Sequence, residues 1–307
     1  MTTGLFTHRA CGAHEMGSWH PESPERLAAI NDHLIAVGLA SHLAPFEAPP
    51  APLEAVVRAH AADYVSGLVS RIPKHGYVPL DPDTSMNPDS WEAALRAAGA
   101  VIDATDRVVS GELANAFCAI RPPGHHALAS GAMGFCFLNN VAIGALHAIE
   151  RHGLKRVAVI DFDVHHGNGT EDILSDDDRV LMASFFQHPF YPYTGTENPA
   201  KNMLNVPLPA GTRGDRVREV VEQVWMPRLQ AFEPEMIFIS AGFDAHREDD
   251  LGQMGLVEAD YAFITKQLVD LAARHARGRI VSSLEGGYNL SALARSVAAH
   301  VRTLGGL

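Results

Sequence analysis

RVAVIDFDVHHGNGT, residues 156–170, is the stretch on which the fold turns. Arg156 is followed by four apolar residues, two of them valine and one isoleucine, with no polar residue alternating between them. A strand with one wet face alternates, so an unbroken run of this kind is buried on both faces, as in a parallel sheet. At Asp161 the composition switches abruptly to Asp, His, Gly and Asn. Open parallel sheets place their ligands beyond the carboxyl ends of the strands, which is where this polar stretch begins.

The same grammar recurs along the chain. AFCAI (116–120) is followed by RPPGHH, MIFIS (236–240) by AGFDAH, and RIVSS (279–283) by LEGGYN, while VLMAS (180–184) supplies a further apolar run. Between the runs lie helical patterns. ESPERLAAINDHLIAVGL is expected to start with Ser23 as cap and Pro24 in the first turn. NPDSWEAALRAAGAVIDATDRVVSGE repeats that signal at Asn87 and Pro88 and exits at Gly111. GDRVREVVEQVWMPRLQAF and VEADYAFITKQLVDLAARHA are read as two further helices. Strands alternating with helices define a three-layer αβα protein built on one parallel sheet. No Gly/Ser linker, repeat or low-complexity tract interrupts residues 1–307, so a single domain is expected.

Composition narrows the function classes. A net charge of −12 opposes binding to nucleic acid phosphates or anionic membranes and favours cationic ligands, although solubility alone accounts for it. Three cysteines cannot all pair, and Cys118 and Cys136 lie in apolar runs, which suggests buried reduced thiols in a cytoplasmic protein. The first residues lack the basic-then-apolar signature of a signal peptide, and no apolar run is long enough to cross a bilayer.

Alternation at a strand end puts Asp161, Asp163 and His165 on one side and Phe162 and Val164 on the other. Asp163 and His165 can reach one cation, and Asp244, at the end of another strand, can complete a three-ligand set. Two carboxylates and one imidazole neutralise a divalent ion and leave coordination positions open, a donor mix that suits Zn²⁺, with Fe²⁺ as the alternative. A lone Asp-x-His more often satisfies loop amides; here a second strand end and the tandem pair His125–His126 agree with it. His166 and His246 are expected behind the ligands or at the surface.

RPPGHH, GFCFLNN (134–140), DFDVHHGNGT (161–170), SAGFDAH (240–246) and LEGGYN (284–289), in this order, resemble the zinc-dependent histone deacetylase family, in its class II and bacterial amidohydrolase branch. HPESPERL (20–27) and LDPDTSMNPDSWEAA (80–94) fit that branch too. The resemblance covers nearly the whole chain and implies the arginase–deacetylase fold, one eight-stranded parallel sheet flanked by helices.

Amide hydrolysis at neutral pH needs a nucleophile, a proton shuttle and an oxyanion stabiliser. The resemblance casts His126 as the shuttle, oriented by Asn168, and His125 as its electrostatic partner, paired with Asp161. Class I members carry Asp where this chain has Asn168. A carboxylate partner should make His125 the more basic, leaving His126 nearer neutrality. Tyr288 is implied as the oxyanion donor. Phe135 and either Phe190 or Tyr191 are the expected walls of an acyl-lysine tunnel, Gly134 a backbone acceptor for substrate, and Arg26 the guard of an acetate exit. A potassium site is implied at the main-chain carbonyls of Asp161, Asp163, His165 and Phe185 with the Ser184 hydroxyl, and a second in the loop 174–180.

The leading expectation is therefore removal of acyl groups from an acetylated lysine peptide or protein, or from an acetylated small amine. An acetylpolyamine amidohydrolase is the main alternative. Leu251 stands where polyamine-selective members carry a glutamate gatekeeper, which counts against it, whereas Glu248, Asp249 and Asp250 beside it favour an ammonium. A binuclear manganese ureohydrolase needs aspartates where this chain has Gly167 and His246. A non-catalytic acyl-lysine binder is disfavoured because Tyr288 and both histidines are intact. A homo-oligomer is compatible with the sequence.

Overall fold

A computed structural model describes residues 2–307. The strands in chain order are β1 (Thr3–Thr7), β2 (Leu43–Glu47), β3 (Val78–Pro79), β4 (Ser85–Met86), β5 (Asn115–Cys118), β6 (Val157–Asp161), β7 (Val180–Gln187), β8 (Met203–Leu208), β9 (Met236–Ala241) and β10 (Ile280–Leu284). Eight of them form one sheet in the order β2-β1-β5-β10-β9-β6-β7-β8, and β3 and β4 make a small separate hairpin. Every pairing in the large sheet is parallel.

Residues along one strand feed the two faces in turn. Val157 and Val159 enter one apolar cluster with the helices Ser90–Ser110 and Asn140–His152. Ala158 and Ile160 enter the other with the helices Glu25–Ala36, Glu258–His275 and Leu290–Gly305. Both faces are thus covered, which is why the strand carries no polar residue before Asp161. Each fully buried side chain of the size of Phe238 contributes about 1.5–3 kcal/mol relative to exposure.

Some local expectations need correction. Ser23 does not cap with its side chain; Pro24 holds the N-cap position and the Ser23 carbonyl accepts from Arg26 N at 3.2 Å. The helix after Asn87 starts at Ser90, with Asn87 Oδ1 taking the amide of Asp89 at 3.1 Å, and it exits through Gly111 in the left-handed conformation as expected. The helical pattern from Gly214 to Phe232 contains a π turn at Val221–Trp225. Pro227 lies just beyond it; its ring clashes with the carbonyl four residues earlier and it donates no N–H, so the helix widens there. Cys11, Cys118 and Cys136 are free and buried. No helix among the described residues is long and apolar enough to cross a membrane.

Candidate active site

Four neighbouring strands, β5, β10, β9 and β6, end at one edge of the sheet. Their following loops carry Arg121–His126, Glu285–Tyr288, Gly242–Asp244 and Asp161–His165 respectively. The register pairs Asp161 with Ser240 and Ser283 with Ser240, so the loops leave the sheet at the same level.

Asp163, His165 and Asp244 each offer a donor atom, all lying within 4.8 Å of one another. His165 Nδ1 is 3.0 Å from Asp163 Oδ1 and 3.2 Å from Asp244 Oδ2. The other carboxylate oxygens are held by main-chain amides: Gly286 N donates to Asp163 Oδ2 at 2.9 Å, and Val164 N to Asp244 Oδ1 at 2.9 Å. Asp244 Oδ2 is buried and receives no hydrogen bond. Burial, with Asp163 beside it, pushes the Asp244 carboxyl up to about 7. Two buried carboxylates that crowd one another around a single imidazole, with Asp244 Oδ2 left without a hydrogen bond, make a pocket that favours a cation. The donor set fits a divalent cation of the zinc or iron(II) kind. Residue 286 must be glycine, because a Cβ there would fall 2.0 Å from Asp244 Oδ2. Phe162 and Val164 turn the other way into the core, as alternation predicts.

The tandem histidines separate in their partners. His125 Nδ1 lies 3.0 Å from Asp161 Oδ2, and His126 Nδ1 2.7 Å from Asn168 Oδ1. Burial opposes a charge on His125, but Asp163 and Asp161 outweigh it and raise its pKa to about 10. Burial lowers His126 well below the usual imidazole range, and the charges of His125 and His165 add to that. The order matches the expectation, while His126 falls below neutrality rather than near it, chiefly because burial penalises its charged form, with His125 and His165 adding to that. His126 rests on Gly134, whose φ is +56° and where a Cβ would meet the ring at 2.3 Å.

A cavity of about 240 Å³ leads to this group, lined by His126, His165, Tyr288, Phe135, Phe190 and Tyr191, with Gly134, Leu251, Asp83 and Asp250. Phe190 stacks on His165 with ring centroids 5.4 Å apart. The sequence offered Phe190 or Tyr191 as the second wall; both line the cavity, and Tyr191 meets His126 edge-on at 5.3 Å. Gly134 O also accepts the Cys136 thiol at 3.2 Å, leaving one lone pair for another partner. Tyr288 lies under Arg26, whose guanidinium is 5.0 Å from the ring centroid. Burial and the nearby Asp244 hold the Tyr288 hydroxyl protonated, far above its ordinary pKa.

Arg26 is fully buried behind the site. It donates Nε to Gly287 O at 2.6 Å and a guanidinium nitrogen to Glu285 O at 2.5 Å, and it pairs with Glu22 at 3.0 Å. Arg121 joins the same Glu22 carboxylate. Of the residues expected to hold potassium, Asp161 and Ser184 are register partners on β6 and β7, with Phe185 next along β7. His166 and His246 are both buried, not at the surface; His166 Nε2 is 2.6 Å from Glu171.

Several site residues carried no signal in the sequence reading. Glu285 Oε2 accepts from Gly124 N at 2.6 Å and His125 N at 3.1 Å, anchoring the histidine turn to the turn that carries Tyr288. Asp83 Oδ1 takes Gly134 N at 3.2 Å and Thr84 Oγ1 takes Phe135 N at 2.9 Å. The acids after Asp244 divide: Glu248 is tied to Arg295 at 2.9 Å, Asp249 is buried under the Tyr288 turn, and only Asp250 reaches the cavity. Such roles belong to loop geometry and leave only an isolated acidic residue to read.

A family model described as the histone deacetylase domain matches residues 20–304. The chain is 38% identical, over 94% of its length, to a probable deacetylase of Archaeoglobus fulgidus, of which it covers 82%. It is also 38% identical, over 93% of its length, to a histone deacetylase-like amidohydrolase of Pseudomonas aeruginosa, of which it covers 80%. The crystal structure of the HDA15 HD domain matches with a TM-score of 0.93 at 34% identity, covering 99% of this chain and 90% of that one.

Proposed function

This chain belongs to the histone deacetylase family, and on that footing we propose that it is a single-domain, metal-dependent amidohydrolase that removes acetyl groups from lysine side chains. The observation that carries the reading is the convergence of Asp163, His165 and Asp244 beside a narrow aromatic cavity that also presents His126 and Tyr288. A divalent ion held by those three residues, zinc in the first instance, supplies Lewis acidity toward water and the amide carbonyl when bound.

The chain's own residues divide the remaining work. Asn168 fixes Nδ1 of His126, so the ring offers Nε2 as the base that takes a proton from the attacking water and returns it to the leaving amine. His125, charged through Asp161, stabilises negative charge that develops beside it. Tyr288 donates its hydroxyl to the developing oxyanion. Phe135 and Phe190 enclose an aliphatic chain, whose desolvation costs little between aromatic faces. Gly134 O offers its free lone pair to the substrate amide. Arg26 holds the Glu285 and Gly287 carbonyls at the inner end, where acetate would leave. The Ser184 hydroxyl and the carbonyls of Asp161, Asp163, His165 and Phe185 suit a potassium ion that braces the metal loop.

One observation favours a second reading. Asp83 and Asp250 line the cavity and no Lys or Arg does, which suits an acetylated diamine with a free ammonium. The test is kcat/KM on zinc-loaded protein for an acetyl-lysine peptide and N-acetylputrescine side by side. A large preference for the peptide supports the lysine reading; a large preference for the amine replaces it. Hydrolysis of neither by metal-loaded protein removes the enzymatic reading.

A further inference from the structure

A second group of ligating side chains lies far from this site. Asp106 stands on the helix Ser90–Ser110, and His147 and His152 stand on the helix Asn140–His152 packed beside it. His147 Nε2 is 2.7 Å and His152 Nε2 is 2.6 Å from the same oxygen, Asp106 Oδ1. The two imidazoles do not stack; their planes meet at 78°, with centroids 5.4 Å apart, so both Nε2 atoms aim at one point. One ligand atom from each of the three residues lies within 4.8 Å of the others.

We propose that Asp106, His147 and His152 form a second divalent transition-metal site that clamps these two helices together. The donor set is one carboxylate and two imidazoles, converging from two helices on one point and leaving the remaining coordination positions to water. Among the described residues, no Lys or Arg pairs with Asp106, so its charge is answered only by the two rings. Access is open on the carboxylate side, where the Asp106 side chain is 46% exposed, while His147 is 10% exposed and held by packing. The helix bearing the histidines begins at the reactive edge of the sheet, and twelve residues of it place His152 about 18 Å away, toward the opposite edge. The site is therefore structural and does not share ligands with the cavity.

One contact sets the expected affinity. An ion on Nε2 of His147 forces the ring proton to Nδ1, which is buried without a partner. That cost weakens binding, and we expect micromolar rather than nanomolar affinity for Zn²⁺.

The experiment titrates Zn²⁺, against a competing chromogenic chelator, into protein already holding one equivalent. The wild type is expected to take a second equivalent with a rise in Tm. In His152→Gln and Asp106→Asn that equivalent should weaken at least tenfold and the Tm rise should vanish, with kcat/KM for an acetyl-lysine peptide unchanged. Asp163→Ala, which lacks a ligand of the cavity site, should keep a Zn²⁺ that the added His152→Gln abolishes; this separates failure of one site from failure of the other. Saturation of the wild type at one equivalent, or a second equivalent that survives both Asp106→Asn and His152→Gln, overturns the proposal.

Discussion

Asp249→Asn tests whether Tyr288, the proposed oxyanion donor, is positioned by a buried carboxylate that does not line the cavity. Asp249 is 5% exposed and accepts three main-chain amides. Oδ2 takes Tyr288 N at 2.6 Å and Asn289 N at 2.9 Å, and Oδ1 takes Leu251 N at 3.0 Å. An asparagine of the same shape can keep its oxygen toward residues 288 and 289, at the loss of charge assistance worth about 1 kcal/mol for each bond. Its NH₂ then faces the Leu251 amide, donor against donor, which costs a further ~1–3 kcal/mol. The sum is about 3–5 kcal/mol of stability, concentrated on the turn that aims the Tyr288 hydroxyl. Outright loss of an oxyanion donor lowers kcat by about 10²–10³, so a loosened one should cost about tenfold, with KM little changed because Phe135 and Phe190 are untouched. The assay is steady-state hydrolysis of an acetyl-lysine peptide, in wild-type and Tyr288→Phe backgrounds. If Asp249 acts through Tyr288, its replacement costs less than about twofold once the hydroxyl is gone. A full tenfold loss in the Tyr288→Phe background, or no loss in the wild type, refutes the reasoning.

Tyr288→Phe itself should lower kcat on an unactivated acetyl-lysine amide by about a hundredfold, and an unchanged rate removes the hydroxyl from the chemistry. Asn168→Asp sets a carboxylate against His126 Nδ1, now 2.7 Å from a neutral amide, and raises a pKa that burial and His125 hold low. With the neutral ring as the proposed base, activity is lost as pH falls through that pKa, so the acid limb of kcat/KM should move up by about one unit or more. A limb that stays in place means another group takes the proton. Glu22→Gln leaves Arg26 and Arg121 buried without their carboxylate and should cost about 3–5 kcal/mol in guanidinium unfolding at pH 7. Burial alone would raise the Glu22 pKa, but Arg121, His14 and Arg26 hold it well below the ordinary range. Its stabilisation is therefore complete above the unfolded value of about 4.3 and is lost as pH falls toward the folded one; the variant should lose that slope.

Legibility followed burial. The five apolar runs read from the sequence became β5, β6, β7, β9 and β10, which are contiguous in the sheet and covered on both faces. The strands of the large sheet that escaped were β1, β2 and β8, at or beside the edges, where exposed and buried residues mix: LAPFE and MLNVPL show no continuous run. The metal-ligand candidates were readable because each follows a recognisable strand, and the tandem histidines because RPPGHH is distinctive. Glu285, Asp83 and Thr84 were not, and Asp249 was read only as a charge for an ammonium, since each acts by accepting main-chain amides from a segment distant in sequence. The Asp106–His147–His152 group was missed for a related reason: its members sit 41 and 46 residues apart on two helices that only packing brings together.

The sheet order has a consequence for how the chain is made. β10 is the last strand in sequence among the described residues, yet it lies between β5 and β9 and joins β2-β1-β5 to β9-β6-β7-β8. Without residues 280–284 the sheet divides into two half-sheets, each with a bare inner edge able to template pairing with another chain. The same strand delivers the Glu285–Tyr288 turn, so the proposed site is assembled only as the sheet closes. Folding should be slow for the size of the molecule, because its decisive contacts join segments far apart in sequence. A chaperone engaging this chain would find its target on those inner edges rather than at the outer rims.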